Sequence, residues 1–293
     1  MTALALAGIA AFGSTALAQS YTTGDLFAGF RATGGTGNAT TNYLIDLGSV
    51  SQFSLLDGSS FTLSLTTGGT PTQQATNLGS NLTTAYGSTW WTRGQVFWGI
   101  IGTTTDNATG LGTLGDVANT TYASRKEPVS LGVFSQSAPW IPQSNANQIA
   151  TVGKIQGLNQ GFTGNGYSLA SNSTNSVSES ASDVKSWQRY APAGTLSSSG
   201  VYFGVYTSTN GLDGVLNGST LNGTAGKVLD LYRLTPGAAT SDYLGYFTLN
   251  GNSAGDSASI TFQSAVPEPG SLGLLAIGTG LLGMLRRRKA LNA

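Results

Sequence analysis

The feature that most limits how this chain can fold is its use of short apolar segments separated by Gly, Asn and Ser. In several of these segments apolar and polar residues alternate, as they do in a strand with one buried face. Many short strands with turn residues between them are typical of an antiparallel β-sandwich or jelly-roll-like domain. We therefore predict a mainly β domain with strands at 42–48, 61–67, 95–104, 129–136, 200–209, 227–235, 243–250 and 258–264.

Three further segments have apolar residues at the spacing of a helix, three and four residues apart. They lie at 73–87, 145–160 and 178–190. Because they are short and few, we expect helical insertions that pack on the strands. The clearest hairpin is the last one, in which a polar loop of turn-forming residues joins the strands at 243–250 and 258–264.

Charged residues are scarce, at 9%, whereas hydrophobic residues make up 39% and include eleven Tyr, eleven Phe and five Trp. This is enough material for a core and argues against intrinsic disorder. Four of the thirteen Lys and Arg lie at 286–289, so nine remain before residue 266 against twelve Asp and Glu, which is a net charge of −3. Without a basic patch we expect no nucleic-acid binding.

The chain contains neither Cys nor His. It therefore lacks thiolate nucleophiles, disulfides, the commonest metal ligand and the usual general base at neutral pH. From these absences we predict that the protein is not an enzyme and holds no cofactor.

The first eighteen residues have the form of a secretory signal peptide. An apolar run from Ala3 to Phe12 is followed by the small-x-small cleavage site that ends with Ala16 and Ala18. We predict export with cleavage after Ala18, so that the mature chain begins at Gln19.

The last 28 residues combine three features in a fixed order. The step from Val266 to Pro269 contains two prolines, which hold it extended. The apolar segment 271–285 would form a helix of about 22 Å, which is short of the ~30 Å hydrocarbon core and needs snorkelling arginines to cross it. The basic cluster 286–289 is expected to stay in the cytoplasm, which leaves the body outside.

These residues resemble the PEP-CTERM sorting signal of Gram-negative bacteria. Its motif corresponds to Pro267, Glu268 and Pro269, and its basic end corresponds to Arg286, Arg287, Arg288 and Lys289. The resemblance implies that an exosortase, a membrane-embedded cysteine transpeptidase, recognises the Pro-Glu-Pro step and removes the helix. The expected segments are a signal peptide at 1–18, an exported β-rich domain at 19–264, a linker at 265–270, a transmembrane helix at 271–285 and a cytoplasmic tail at 286–293.

Two short motifs match catalytic serines but lack the rest of the machinery. The sequence 251–255 matches G-x-S-x-G around Ser253, yet no His can take the serine proton and the following residues look like a strand. Ser182 and Lys185 match S-x-x-K without its companion motifs. We interpret the first as a hairpin loop and the second as part of an exposed helix.

Carboxylates and loop oxygens leave two other kinds of site open. Two carboxylates that face each other across a cleft suffice for a glycosidase. The candidates are Asp106, Asp116, Glu127 and Asp230. Each of them is more simply interpreted as a turn residue or a solvated charge. The loops 103–110 and 208–214 offer oxygen ligands for calcium, but neither reproduces a calcium-loop motif, and turn formation explains them better.

The densest aromatic cluster in the sequence has three Trp close together, Trp90, Trp91 and Trp98, with Tyr86 and Phe97 beside them. An exposed cluster would form a platform on which sugar rings stack, whereas a buried one would be core, which is the favoured interpretation. Strand alternation would place Trp91 on the face opposite Trp90, so that one of the two side chains could be exposed to solvent.

Together these patterns predict a non-enzymatic structural or adhesive protein, sorted to the cell envelope or the biofilm matrix. Its expected partners are an exosortase-like transpeptidase and extracellular polysaccharide, with the inner membrane as a transient anchor. The alternatives are a carbohydrate-binding module that uses the tryptophan cluster and a two-carboxylate carbohydrate-active enzyme.

Overall fold

Eleven β-strands form one sheet in the part of the chain that the structure describes. This computed structural model describes residues 24–33, 39–53, 60–63, 78–92, 95–104, 116–126, 140, 142, 144–158, 168–169, 176–183, 186–190, 213–215, 227–252 and 254–265. The strands are β1 (Asp25–Ala32), β2 (Thr41–Ser49), β3 (Ser60–Thr62), β4 (Val96–Thr103), β5 (Thr121–Lys126), β6 (Ser168–Leu169), β7 (Ser176–Ser180), β8 (Asp213–Val215), β9 (Lys227–Leu234), β10 (Asp242–Gly251) and β11 (Ala258–Ser264). The helices are α1 (Leu78–Tyr86), α2 (Asn145–Leu158) and α3 (Trp187–Tyr190), with short 3-10 helices at Val50–Phe53 and Trp90–Thr92.

The strands are hydrogen-bonded in the order β3-β11-β10-β9-β5-β4-β1-β2-β7-β6, and β8 pairs with β4 beside β5. All of these pairs are antiparallel. The prediction of a mainly antiparallel β domain with a few short helices is therefore confirmed. The two layers expected of a β-sandwich are thus parts of one continuous sheet.

One face of this sheet, which we call the inner face, is apolar and packs against α1. Alternate positions of the central strands contribute to one large cluster, which includes Leu26, Phe30, Ile45, Trp98 and Leu231. The ring of Phe53, just after β2, lies 5.2 Å from the rings of both Phe247 in β10 and Phe262 in β11. Because four strands separate β2 from β10, this contact requires the sheet to curl until its two halves enclose the core.

The opposite face, which we call the outer face, is covered near its centre by α2 and α3. A smaller apolar cluster lies there, and it includes Phe27, Leu44, Ile155, Trp187 and Tyr232. The same face buries a set of polar and charged side chains, which comprises Arg31, Asn42, Arg125, Glu179 and Asp230. Both faces therefore contain buried side chains, but with different chemistry, and the outer face is covered only near its centre.

The structure confirms most predicted elements that fall on described residues and corrects one of them. The strands predicted at 42–48, 95–104, 227–235, 243–250 and 258–264 correspond to β2, β4, β9, β10 and β11. Of the strand predicted at 61–67, residues 61–63 are described, and the first two of them belong to β3 (Ser60–Thr62). The strands predicted at 129–136 and 200–209 lie outside the described residues.

Among the helices, α2 agrees with the prediction at 145–160, and α1 occupies the second half of 73–87. The helix predicted at 178–190 is wrong in its first half. Residues Ser176–Ser180 are strand β7, paired with β2, and only Trp187–Tyr190 are helical. The edge of β2 supplies hydrogen-bonding groups that the local sequence pattern does not reveal.

Candidate functional site

The predicted sorting signal begins where the described sheet ends. Strand β11 pairs with β10 along its whole length, as far as Ser264 opposite Gly245. The amide of Ala265 then donates a hydrogen bond to the carbonyl oxygen of Leu244 at 2.9 Å, and Ala265 is buried. The first residue of the predicted linker is thus held by the folded domain.

A bulge in β10 makes this close pairing possible. The register of β10 against β9 shifts between Tyr243 and Gly245. Gly245 has φ +137°, and a Cβ atom there would lie 2.1 Å from the carbonyl oxygen of Gln263. Only glycine fits this close approach of two backbones. Gly245 therefore allows the last residues of β11 to pair closely with β10.

The remaining residues of the two predicted signals lie outside the described residues. They are Ala16, Ala18 and Gln19 at the signal-peptide site and Val266, Pro267, Glu268, Pro269, Arg286, Arg287, Arg288 and Lys289 at the sorting signal. The predicted helix 271–285 lies there too. Within the described ranges, no helix has the length and apolar character needed to cross a bilayer.

All five tryptophans are buried, each with 3% exposure or less. The indole of Trp90 donates to the carbonyl oxygen of Gly255 at 2.7 Å, and its ring meets that of Trp91 edge-on at 5.4 Å. The core interpretation of the cluster is confirmed. The expectation that one of the pair is exposed is wrong, because Trp90–Thr92 form a 3-10 turn, in which strand alternation does not apply.

Asp116 is buried in an ionic cluster and is not the solvated charge that its sequence suggests. The hydroxyl of Tyr122 donates to it at 2.5 Å, and Nη1 of Arg233 lies 3.5 Å away. Arg233 also binds Oδ2 of Asp242 through Nη2 at 2.8 Å. Burial raises the pKa of Asp116, and the hydrogen bond from Tyr122 partly opposes this rise. The cluster ties the turn before β5 to the β9–β10 hairpin.

The other described candidate, Asp230, is buried on the outer face opposite Arg125. Asp116 instead contacts Tyr122, whose ring belongs to the inner cluster. These two carboxylates therefore do not face each other across one cleft. Asp106 and Glu127 lie outside the described residues.

Sequence patterns also missed the buried carboxyl group of Glu179 in β7. Its Oε1 accepts a hydrogen bond from the amide of Trp187 at 2.5 Å. Burial raises the pKa of Glu179 to about 8; the bond from Trp187 lowers it in part, whereas the charge of Asp183 raises it further. A Ser-rich strand offers no sign that one of its side chains is covered by a helix.

The serine motifs are only partly described. Ser182 is exposed in the turn after β7, where its hydroxyl bonds that of Ser180 at 2.8 Å, and Lys185 lies outside the described residues. Ser253 is also outside them, but the residues on either side connect β10 to β11, which confirms the hairpin loop. Most of the proposed calcium loops 103–110 and 208–214 are not described, and no group of acidic side chains within the described ranges is arranged to hold a metal ion.

Comparison with known proteins finds a match at the C-terminal end of the chain. The family model of the PEP-CTERM protein-sorting motif matches residues 265–289, which start at the residue held against Leu244. No curated protein and no solved structure matches the chain. The chain therefore carries a C-terminal PEP-CTERM protein-sorting motif, and this motif implies export and processing by exosortase, a membrane enzyme.

Proposed function

We propose that the exported domain is a non-enzymatic structural or adhesive component of the cell envelope or biofilm matrix, and that it contacts extracellular polysaccharide. The observation that carries this proposal is a polar strip on the outer face of the β10–β11 hairpin. The strip is at least partly exposed and consists of Tyr246, Thr248, Asn250, Ser259, Thr261 and Gln263.

The strip offers hydroxyl and amide groups and no charge. Opposite pairs in the hairpin are Tyr246 with Gln263, Thr248 with Thr261, and Asn250 with Ser259. Their side chains therefore form two adjacent rows of hydrogen-bonding groups on one side of the hairpin. Such a row complements the hydroxyl groups of a neutral polysaccharide, which bind through many individually weak hydrogen bonds.

Burial of the large aromatic and acidic side chains also supports this proposal. The tryptophans are part of the core, so the alternative in which Trp90, Trp91 and Trp98 form a sugar platform loses its basis. The described candidates for a carboxylate pair, Asp116 and Asp230, are buried on different faces. Contact through neutral surface groups therefore fits the described residues better than hydrolysis.

Replacing Thr248, Asn250 and Thr261 together by Ala tests the proposal. Loss of three hydrogen bonds, each contributing at least about 0.5 kcal/mol, weakens binding to the purified extracellular polysaccharide of the producing cells about tenfold. Binding is measured by cosedimentation, with circular dichroism to verify the fold. The matched control replaces three exposed hydroxyl residues, Ser80 and Thr84 in α1 and Ser88 just after it. Equal binding by both variants and the wild type would contradict the proposed surface.

A further inference from the structure

Only a short tether joins the folded domain to the predicted membrane helix. Ala265 is held by Leu244, and the apolar segment begins at residue 271. Six extended residues span at most about 20 Å, and the headgroup layer of one leaflet takes up roughly 5–8 Å of that length. While the helix is in the membrane, the end of the sheet that carries Ala265 therefore lies close to the membrane surface.

The register of the strands identifies what else lies at this end. Ala265 lies beside the start of β10, where Asp242 pairs with Arg233 at the end of β9. Arg233 in turn pairs with Tyr122 at the start of β5. The turn before β5 is thus three strand spacings, about 14 Å, from the exit of the chain. The β9–β10 turn at 235–241 lies between them.

The start of α2 joins the same end of the domain. The side chain of Gln148 donates to the carbonyl oxygens of Leu234 at 2.9 Å and Asn119 at 3.2 Å. The amide group of Asn119 also donates to Oδ1 of Asn145 at 3.0 Å. These bonds place Ile149, the neighbour of Gln148, next to the turn that contains Val117.

Most of the described surface at this end is uncharged, and it carries two exposed aliphatic side chains. Val117 and Ile149 are 46% and 51% exposed, and they are the two exposed large hydrophobic residues among those described. Residues 117–120, 144–150 and 235–241 contain no charged side chain. Asp242 is exposed, but Arg233 binds it at 2.8 Å.

We propose that this end of the domain, which we call the exit end, rests on the lipid membrane while the anchored chain awaits processing. It is formed by Val117, Ile149 and residues 235–241. The proposal rests on the anchoring that the sorting motif implies. Exposed aliphatic side chains gain free energy when they enter the interfacial region of a bilayer, and a neutral surface can approach headgroups without desolvating a charge.

The test uses the absence of cysteine from the natural chain. The full chain is inserted into vesicles of phosphatidylethanolamine and phosphatidylglycerol, and single cysteines replace Val117, Ile149 or Asn252 to carry a fluorescent label. Asn252 is the matched control, because it is exposed in the β10–β11 hairpin at the opposite end. Lipids with a nitroxide headgroup should quench labels at 117 and 149 several-fold more strongly than the label at 252.

A second variant separates lipid contact from mere proximity. Val117→Asp, combined with a label on Ile149→Cys, places a charge on the exit end without disturbing the core, since both side chains are exposed. This charge should reduce the quenching at position 149. Unchanged quenching in this variant, or equal quenching at 117, 149 and 252, would overturn the proposed contact.

Flotation of the vesicles distinguishes this proposal from the sorting function on which it rests. A chain that floats but shows equal quenching at both ends is anchored with no preferred orientation, which refutes only the exit-end contact. A chain that fails to float refutes the anchoring itself, and with it both claims.

Discussion

The two faces of the sheet are buried in different ways. The inner face is closed by aromatic and aliphatic side chains, with the rings of Phe53, Phe247 and Phe262 at its centre. The outer face buries ionisable groups as well. Arg31 lies over the ring of Phe97 at 4.5 Å, and Arg125 lies over the ring of Trp140 at 5.0 Å.

This difference shows what each face depends on. Apolar burial on the inner face is insensitive to pH and tolerates small shifts of neighbouring side chains at moderate cost. On the outer face, each buried charge needs a particular partner at a particular distance. We expect the apolar cluster of the inner face to determine most of the stability. We expect the buried ionisable groups, most of which lie on the outer face, to determine how that stability responds to pH and to local geometry.

The largest effect is expected from Phe247→Ala on the inner face. Phe247 packs between Phe53 and Phe262 at centroid distances of 5.2 and 4.7 Å. Loss of a buried phenylalanine lowers the free energy of unfolding by about 3–5 kcal/mol, because it removes apolar burial and leaves a cavity. Urea denaturation measures the loss. Tyr246→Ala, on the same strand but half-buried on the outer face, is the control. An equal loss in both variants would mean that the faces do not differ.

A smaller effect is expected from Gly29→Ala on the outer face. Trp187 lies directly on Gly29, and an added Cβ would be 1.9 Å from Cδ2 of the indole. Displacing the ring lowers the free energy of unfolding by about 1–3 kcal/mol and changes the near-ultraviolet circular dichroism. Gly153→Ala in α2 is the control, since its Cβ meets nothing within 4 Å. If Gly29→Ala and Gly153→Ala lower the free energy of unfolding equally, the proposed dependence of the outer face on local geometry is wrong.

The last prediction concerns Glu179, whose effect on the free energy of unfolding depends on pH and is small over any single pH unit. Its pKa of about 8 in the folded chain lies above its usual 4.5, so the folded state keeps a proton that the unfolded state releases. The free energy of unfolding therefore falls as the pH rises from about 4.5 to about 8, by at most ~1.4 kcal/mol per pH unit.

Glu179→Gln should flatten this slope, because Gln keeps an oxygen for the amide of Trp187 and does not titrate. Denaturation midpoints between pH 5 and pH 8 provide the measurement. Asp256→Asn, at an exposed position in the β10–β11 hairpin, should leave the slope of the wild type unchanged. If the slope persists in Glu179→Gln, the outer face is not the source of the pH response.

Several elements could be predicted because their local pattern matches their environment. In β11, Ile260 and Phe262 point inward while Thr261 and Gln263 alternate with them. By contrast, β1 is buried on both faces and carries Arg31 between apolar neighbours, so no clear alternation marks it. Strand β7 consists of Ser, Val and Glu, and only its pairing with β2 and β6 makes it a strand.

The sequence by itself determined the mainly β class, several strand bounds and the sorting motif at 265–289. These depend on local order along the chain, which alternation and a linear motif preserve. The tertiary structure alone decided that the tryptophans are core, that Glu179 and Asp116 are buried, and that Val117 and Ile149 lie at the end where the chain leaves the sheet. Burial and proximity depend on which strands pair and how far the sheet curls, and residues distant in sequence settle both.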